Sequence, residues 1–258
     1  MCNMDFENEK PLENLVADGG LTGIFRTIGC IGDSLSSGEV ESTKEDGTTG
    51  YHDMYEYSWG QFMARRVGNK VYNFSKGGMT AVAFNDTFEK QCEIWTEEKK
   101  CQAYIIALGV NDLYGRKQNV GKIGDMDRAD YDNKDNVTFA GEYEKLIRKI
   151  KEFQPKARIF LITIPKYDET AEKAAALLYD FAENYDFTYV IDLKKYAPKY
   201  DAEFYSKYFV GGHMNPMGYL LTSKFIMSYI DYIVRHNMED FKQVPFIGLP
   251  YHSDKAKW

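Results

Sequence analysis

Five short runs rich in β-branched and aromatic residues recur along the chain, separated by longer stretches of helical period, and this alternation restricts the fold more than any other feature. The runs are RTIGCIG (26–32), KVYNF (70–74), AYIIALG (103–109), RIFLITI (158–164) and FTYVIDL (187–193). Most are apolar on both alternating faces, as strands covered on both sides in a parallel sheet are. Between and after them, Ala81, Phe84, Phe88, Cys92 and Trp95 are spaced by three or four, as are Phe139, Tyr143, Leu146, Ile150 and Phe153. So are Ala171, Ala174, Leu178 and Phe181, while Leu220, Met227, Ile230 and Val234 share one face near the end. Each set predicts an amphipathic helix. The expected fold is α/β: a doubly wound, five-stranded parallel sheet between two helical layers.

Two segments fall outside the alternation. Residues 113–136 are polar, Gly-bearing and too long for an ordinary connection, so a lid or substrate loop is expected directly after the third strand. The tail 239–258 carries aromatics and prolines without periodicity, and is expected to pack across the surface or onto a second copy of the chain, a homo-oligomer. With 258 residues and 44% hydrophobic content, the chain is expected to form one domain over 1–258.

Charge narrows the partners. Lys and Arg number 32 against 39 Asp and Glu, a formal net charge of −7, and no basic run could track a phosphate backbone, so nucleic acid is not expected. The first twenty residues lack the basic start and apolar stretch of a signal peptide, and no apolar run approaches a membrane span, so no membrane partner and a cytoplasmic location are expected. Cys2, Cys30, Cys92 and Cys101 show neither a CxxC nor a His at ligand spacing. No metal or organic cofactor is expected, and Cys30 reads as a small core residue.

In an open parallel sheet the site lies outside the carboxyl ends of the strands. The first strand is followed by Gly32-Asp33-Ser34, the second by Ser75-Lys76-Gly77-Gly78, and the third by Gly109-Val110-Asn111-Asp112; His213 stands in GGHMNPMGY before the last helix. Acyl transfer needs such a set: a hydroxyl nucleophile, an imidazole to take its proton, and donors for the oxyanion. Gly78 can bring its backbone N–H close, and Asn111 can offer a carboxamide N–H.

GDSL at 32–35, Gly78 in NFSKGGMT, Asn111 in GVND and His213 resemble, in chain order, the four signature blocks of the GDSL-like or SGNH hydrolases, a family of esterases and lipases. The resemblance spans about 28–220 and implies the flavodoxin-like SGNH hydrolase fold. It also implies that Ser34 is the nucleophile and His213 the general base, with the N–H groups of Ser34 and Gly78 and the side chain of Asn111 forming the oxyanion hole. The chain differs from the larger α/β hydrolases in having no G-x-S-x-G at a strand end.

The family usually places an aspartate three residues before the histidine, and position 210 is Val. Three accounts are open: a Ser-His dyad with a backbone carbonyl near Val210 or Gly211 on the ring nitrogen; a carboxylate from elsewhere, with Asp192, Asp201 or Glu203 as candidates; or a site that no longer turns over. The dyad is preferred, because a carbonyl can orient a neutral imidazole. Asp33 is expected to bond backbone N–H groups in its turn. His52, His236 and His252 are read as surface or structural, and Tyr51, Tyr55, Tyr57 and Trp59 as core or interface before substrate platforms.

The expected function is hydrolysis of small carboxylic esters. Short acyl groups on carbohydrates come first, since the resemblance includes many sugar-ester deacetylases and no long apolar channel is apparent. The rivals are an inactive protein that binds an acylated or sugar ligand, and an enzyme that passes the acyl group to a second alcohol.

Overall fold

The computed structural model describes residues 8–131, 133 and 136–248. Cys2, His252 and the tail from 249 onward lie outside the described residues.

Strands β1 (Thr27–Gly32), β4 (Lys70–Ser75), β5 (Ala103–Ala107), β6 (Arg158–Ile162) and β7 (Thr188–Ile191) form one sheet in the order β4-β1-β5-β6-β7. All four neighbouring pairs are parallel. Side chains alternate between two cores, which is why these runs read as apolar throughout: Ile105 and Phe160 face one, Ile106 and Leu161 the other. Helices Trp59–Val67 and Pro216–His236 cover the first face; Phe139–Phe153 and Glu169–Asn184 cover the second. After β1 the chain pairs β4 on one side and then returns to pair β5 on the other. The order therefore reverses between β1 and β5, the place where an open parallel sheet carries its site, at the cleft beyond their carboxyl ends.

Beside the sheet stands an antiparallel hairpin of β2 (Glu39–Thr43) and β3 (Thr49–Asp53). Its turn closes through Lys44 N–H on the Thr48 carbonyl at 2.8 Å, with Gly47 at φ +80° and Asp46 accepting from Thr48 N–H. A second, very short hairpin of β8 (Phe209–Val210) and β9 (His213–Met214) leads into the last long helix, Pro216–His236.

The helix expected over 81–95 is interrupted. Ala81–Ala83 and Glu89–Gln91 are α-helical, but Phe84–Phe88 forms a wider π-type turn, in which buried Asn85 donates to the carbonyl and carboxylate of Glu142. The interruption lets the Asn85 NH2 group reach two acceptors, which the 3.6-residue period did not foresee. The described part of 113–136 is fastened to the start of helix Phe139–Phe153: Phe139 and Ala140 donate to the carbonyls of Asn119 and Val120, and Gly124 N–H reaches Glu144 at 2.7 Å. Among the described residues, no helix is long and apolar enough to cross a membrane.

Candidate active site

The loop after β1 turns at once into a four-residue helix, Ser34–Ser37. Asp33 caps it: its backbone lies in the extended region and its side chain accepts from Leu35 N–H at 3.0 Å. The aspartate thus does the local work expected of it. The cap holds Ser34 at the first helical position, half-buried at the mouth of the cleft. Two further anchors come from Tyr219 on the last helix, whose buried hydroxyl donates to the carbonyls of Ser34 (3.3 Å) and Glu39 (2.6 Å). The helix that follows His213 therefore pins both ends of the Ser34 turn.

Gly78 follows β4 with φ +71°, a conformation that disfavours a side chain, and no atom crowds the position a Cβ would take. Asn111 follows β5 on the other side of β1. Its amide donates to Met79 O at 3.1 Å and to the Asp33 carboxylate at 3.3 Å, bringing the loops after β1, β4 and β5 together. Beneath them, Asp112 is fully buried and accepts from Ala81 N–H at 2.8 Å, while its second oxygen has no partner among the described residues. Burial pushes the Asp112 carboxyl up to about 7 and that of Asp33 up to about 6, as loss of water disfavours the charged forms.

His213 sits on β9, opposite Val210 of β8, and Asn215 caps the following helix with its side chain on Gly218 N–H at 3.0 Å. Both ring nitrogens meet carboxylates from β2. Nδ1 is 2.6 Å from Glu41 Oε1, and Nε2 is 3.2 Å from Glu39 Oε1. The same Glu41 oxygen accepts Gly212 N–H at 2.8 Å, and the His213 hydrogen bond holds the Glu41 carboxyl below the usual carboxylate range. Tyr51, opposite Glu41 on β3 and 62% exposed, sets its ring edge-on to His213, with centroids 5.8 Å apart.

This corrects the expected dyad. No backbone carbonyl near Val210 or Gly211 orients the imidazole, because the Glu41 carboxylate occupies Nδ1. The three candidate carboxylates are engaged elsewhere. Asp192 takes the Thr163 and Tyr179 hydroxyls, Asp201 caps the helix Ala202–Tyr208, and Glu203 pairs with Lys207. Glu41 escapes a reading confined to the loops that leave the parallel strands, since it stands on a separate hairpin. Two signals in the sequence pointed to it: Asp46-Gly47 marks a hairpin turn, and Glu39 and Glu41, two apart in a strand, share a face. Of the remaining histidines within the described residues, His52 bonds Ser42 Oγ on the exposed hairpin and His236 bonds the Tyr232 carbonyl one helical turn back.

Beside Ser34 lies a half-enclosed cavity of about 310 Å³. Its wall includes Asp33 and Leu35 on either side of the serine, and Gly212 and Met214 on either side of the histidine. The sequence had offered no such apolar space, because its lining comes from the ends of β5, β6 and β7, the last helix and the loop before β8.

A parallel sheet in this strand order, with a capped serine after β1, an open glycine after β4, an asparagine after β5 and a carboxylate-held histidine before the last helix, is the frame of a serine hydrolase of the SGNH type. The chain belongs to the GDSL-like Lipase/Acylhydrolase family, whose pattern it matches over residues 30–221. It is accordingly a hydrolase of ester bonds. No curated protein matches it. Among solved structures it is similar to a family two carbohydrate esterase from Clostridium thermocellum in complex with cellohexaose, at 16% identity and a TM-score of 0.58 over 83% of this chain and 65% of that one. A possible lipase from Chitinophaga pinensis is similar at 17% identity and a TM-score of 0.52 over 81% and 98%. A protein from Lactobacillus plantarum is similar at 18% identity and a TM-score of 0.56 over 80% and 97%.

Proposed function

We propose that the chain is a serine esterase working through Ser34, His213 and Glu41. His213 Nε2 takes the Ser34 proton as Oγ attacks the ester carbonyl, and the imidazolium that forms is balanced by the Glu41 carboxylate on Nδ1. The N–H groups of Ser34 and Gly78 and the amide of Asn111 receive the oxyanion. Breaking the acyl–oxygen bond passes the proton from Nε2 to the leaving alcohol. Water, deprotonated by the same nitrogen, then attacks the acyl-enzyme and frees the acid and Ser34. The carrying observation is the 2.6 Å contact between Glu41 and Nδ1, which sets a carboxylate where a general-base histidine needs one. Nε2 faces Glu39, so substrate has to displace that side chain before Ser34 and the ring meet; catalytic hydrogen bonds commonly tighten in this way only on binding.

For the alcohol we propose a carbohydrate or similar polyol. The exposed Tyr51 ring beside His213 offers a flat face, Glu39 offers acceptor oxygens, and carbohydrate esterases are among the structures of similar fold.

One observation favours the rival reading of a non-catalytic binding protein. Nε2 stands 3.2 Å from a Glu39 carboxylate oxygen and the Asn111 amide donates to Asp33 and Met79, so the groups that should act on an ester already face partners within the protein. Fluorophosphonate labelling separates the two, since it requires an activated serine and no knowledge of substrate. The esterase reading expects labelling of wild type, none of Ser34→Ala, and hydrolysis of p-nitrophenyl esters by wild type alone. Absence of both labelling and hydrolysis would replace it with the binding protein. Product analysis with an added alcohol acceptor separates hydrolysis from acyl transfer.

A further inference from the structure

The cavity beside Ser34 has a volume of about 310 Å³, roughly ten times the share of liquid volume taken by one water molecule. An acetyl methyl would fill a small part of it. Its surface is mostly hydrocarbon, from Leu35, Ile162, Ile164, Tyr200, Phe209 and Met214 among others.

Thr163, Thr222 and Asp33 on its wall are bonded within the protein. Thr163 donates to Asp192 at 2.9 Å and Thr222 to the Met214 sulfur at 3.3 Å, while the Asp33 carboxylate takes Leu35 N–H and the Asn111 amide. Lys166 lies 4.6 Å over the Tyr114 ring. The Ser36 hydroxyl has no partner among the described residues, but it is packed against Gly32, where a Cβ would come within 2.2 Å of it. A sugar placed here would lose the hydrogen bonds of several hydroxyls to water and regain few, whereas an alkyl chain would lose nothing.

Resting on the esterase reading, we infer that this cavity is an acyl-chain site, and that the preferred substrate carries an apolar acyl group of about four to eight carbons rather than acetate. The acyl group is favoured over the alcohol because polar groups that suit a polar leaving group, Glu39 and the exposed Tyr51, stand against His213 on the β2–β3 hairpin and are not part of the cavity wall. The alcohol can then leave to water while the acyl chain stays seated on Ser34.

Each methylene that enters the cavity should raise kcat/KM by about fourfold until the space is full. The experiment compares p-nitrophenyl acetate, butyrate, hexanoate and octanoate with methyl, butyl and hexyl acetates, for wild type, Ile162→Phe and Thr222→Leu. The expected result is a rise along the acyl series to butyrate or hexanoate, a flat alcohol series, and a hexanoate-to-acetate ratio about tenfold lower in each filling variant. That ratio is internal to each preparation, so partial misfolding cancels from it. Ser34-dependent turnover that is as fast with acetate as with hexanoate, or a rise along the alcohol series instead, overturns the acyl site while leaving the esterase intact. Calorimetric titration of Ser34→Ala with sodium hexanoate and sodium acetate keeps the two readings apart. Tighter hexanoate binding without turnover in wild type retains the cavity assignment and removes the esterase; equal binding of both acids, or of neither, removes the cavity assignment.

Discussion

Replacing Glu41 measures what the carboxylate on His213 Nδ1 contributes to catalysis. Its Oε1 accepts both Nδ1–H at 2.6 Å and Gly212 N–H at 2.8 Å. In Glu41→Gln the amide oxygen can keep both contacts, and only the charge is lost. A hydrogen bond to a charged group contributes about 1.5–3 kcal/mol, and each 1.36 kcal/mol of lost transition-state stabilisation is tenfold in rate, so kcat should fall about 10- to 150-fold. Glu41→Ala removes the tether as well, leaving the ring free to present the wrong tautomer and Gly212 N–H without its acceptor. There the loss should approach the roughly 10,000-fold of a triad deprived of its carboxylate. KM should change little in either variant, because Glu41 touches the imidazole and not the ester. The assay is steady-state hydrolysis of p-nitrophenyl butyrate, with near-UV circular dichroism to confirm folding. A folded Glu41→Ala enzyme within fivefold of wild type would refute the reasoning and restore a Ser-His dyad.

Two further outcomes are expected. Asn111→Ala should lower kcat by about 100- to 1,000-fold with KM nearly unchanged, as removal of one oxyanion donor does, and pre-steady-state kinetics should place the loss in acylation. Asp112, whose carboxyl burial raises to about 7, keeps a proton in the folded state that an ordinary aspartate near 3.9 has released, so stability should fall as pH rises from about 4 to 7, by at most about 1.4 kcal/mol per pH unit from this group. Urea midpoints measured across that range should decline less steeply in Asp112→Asn than in wild type, the remaining slope coming from Asp33, which burial also raises, to about 6; an equal slope in both would show that Asp112 does not titrate there.

The sheet was legible because each buried strand carries its apolar residues on both faces, as Ile105 and Ile106 or Phe160 and Leu161 do, and because the two helical layers repeat at the right spacing. The residues after β1, β4 and β5 were legible for a related reason: a rule of topology says where to look in an open parallel sheet. The β2–β3 hairpin obeys neither regularity. It pairs only with itself and is polar, and the aromatics around Tyr51 and Tyr55 mask the alternation of Glu39 and Glu41. The cavity was illegible in principle, since its walls come from positions as far apart as Leu35 and Ile226 and no local pattern records an empty volume.

The Glu41 carboxylate also bears on the residues around the histidine. Val210 stands where an aspartate was expected; it is 44% exposed, and the β8–β9 pairing sets it across from His213. With Glu41 entering from β2, the turn between Val210 and His213 has to pass the carboxylate closely. Gly211 does so at φ +62°, and a Cβ there would come within 1.9 Å of Glu41 Oε2. The glycine is therefore required twice, by its backbone conformation and by the space the carboxylate occupies. In the proposed triad the two positions follow from one arrangement: a carboxylate supplied by the neighbouring hairpin leaves position 210 without that task and crowds any side chain at 211.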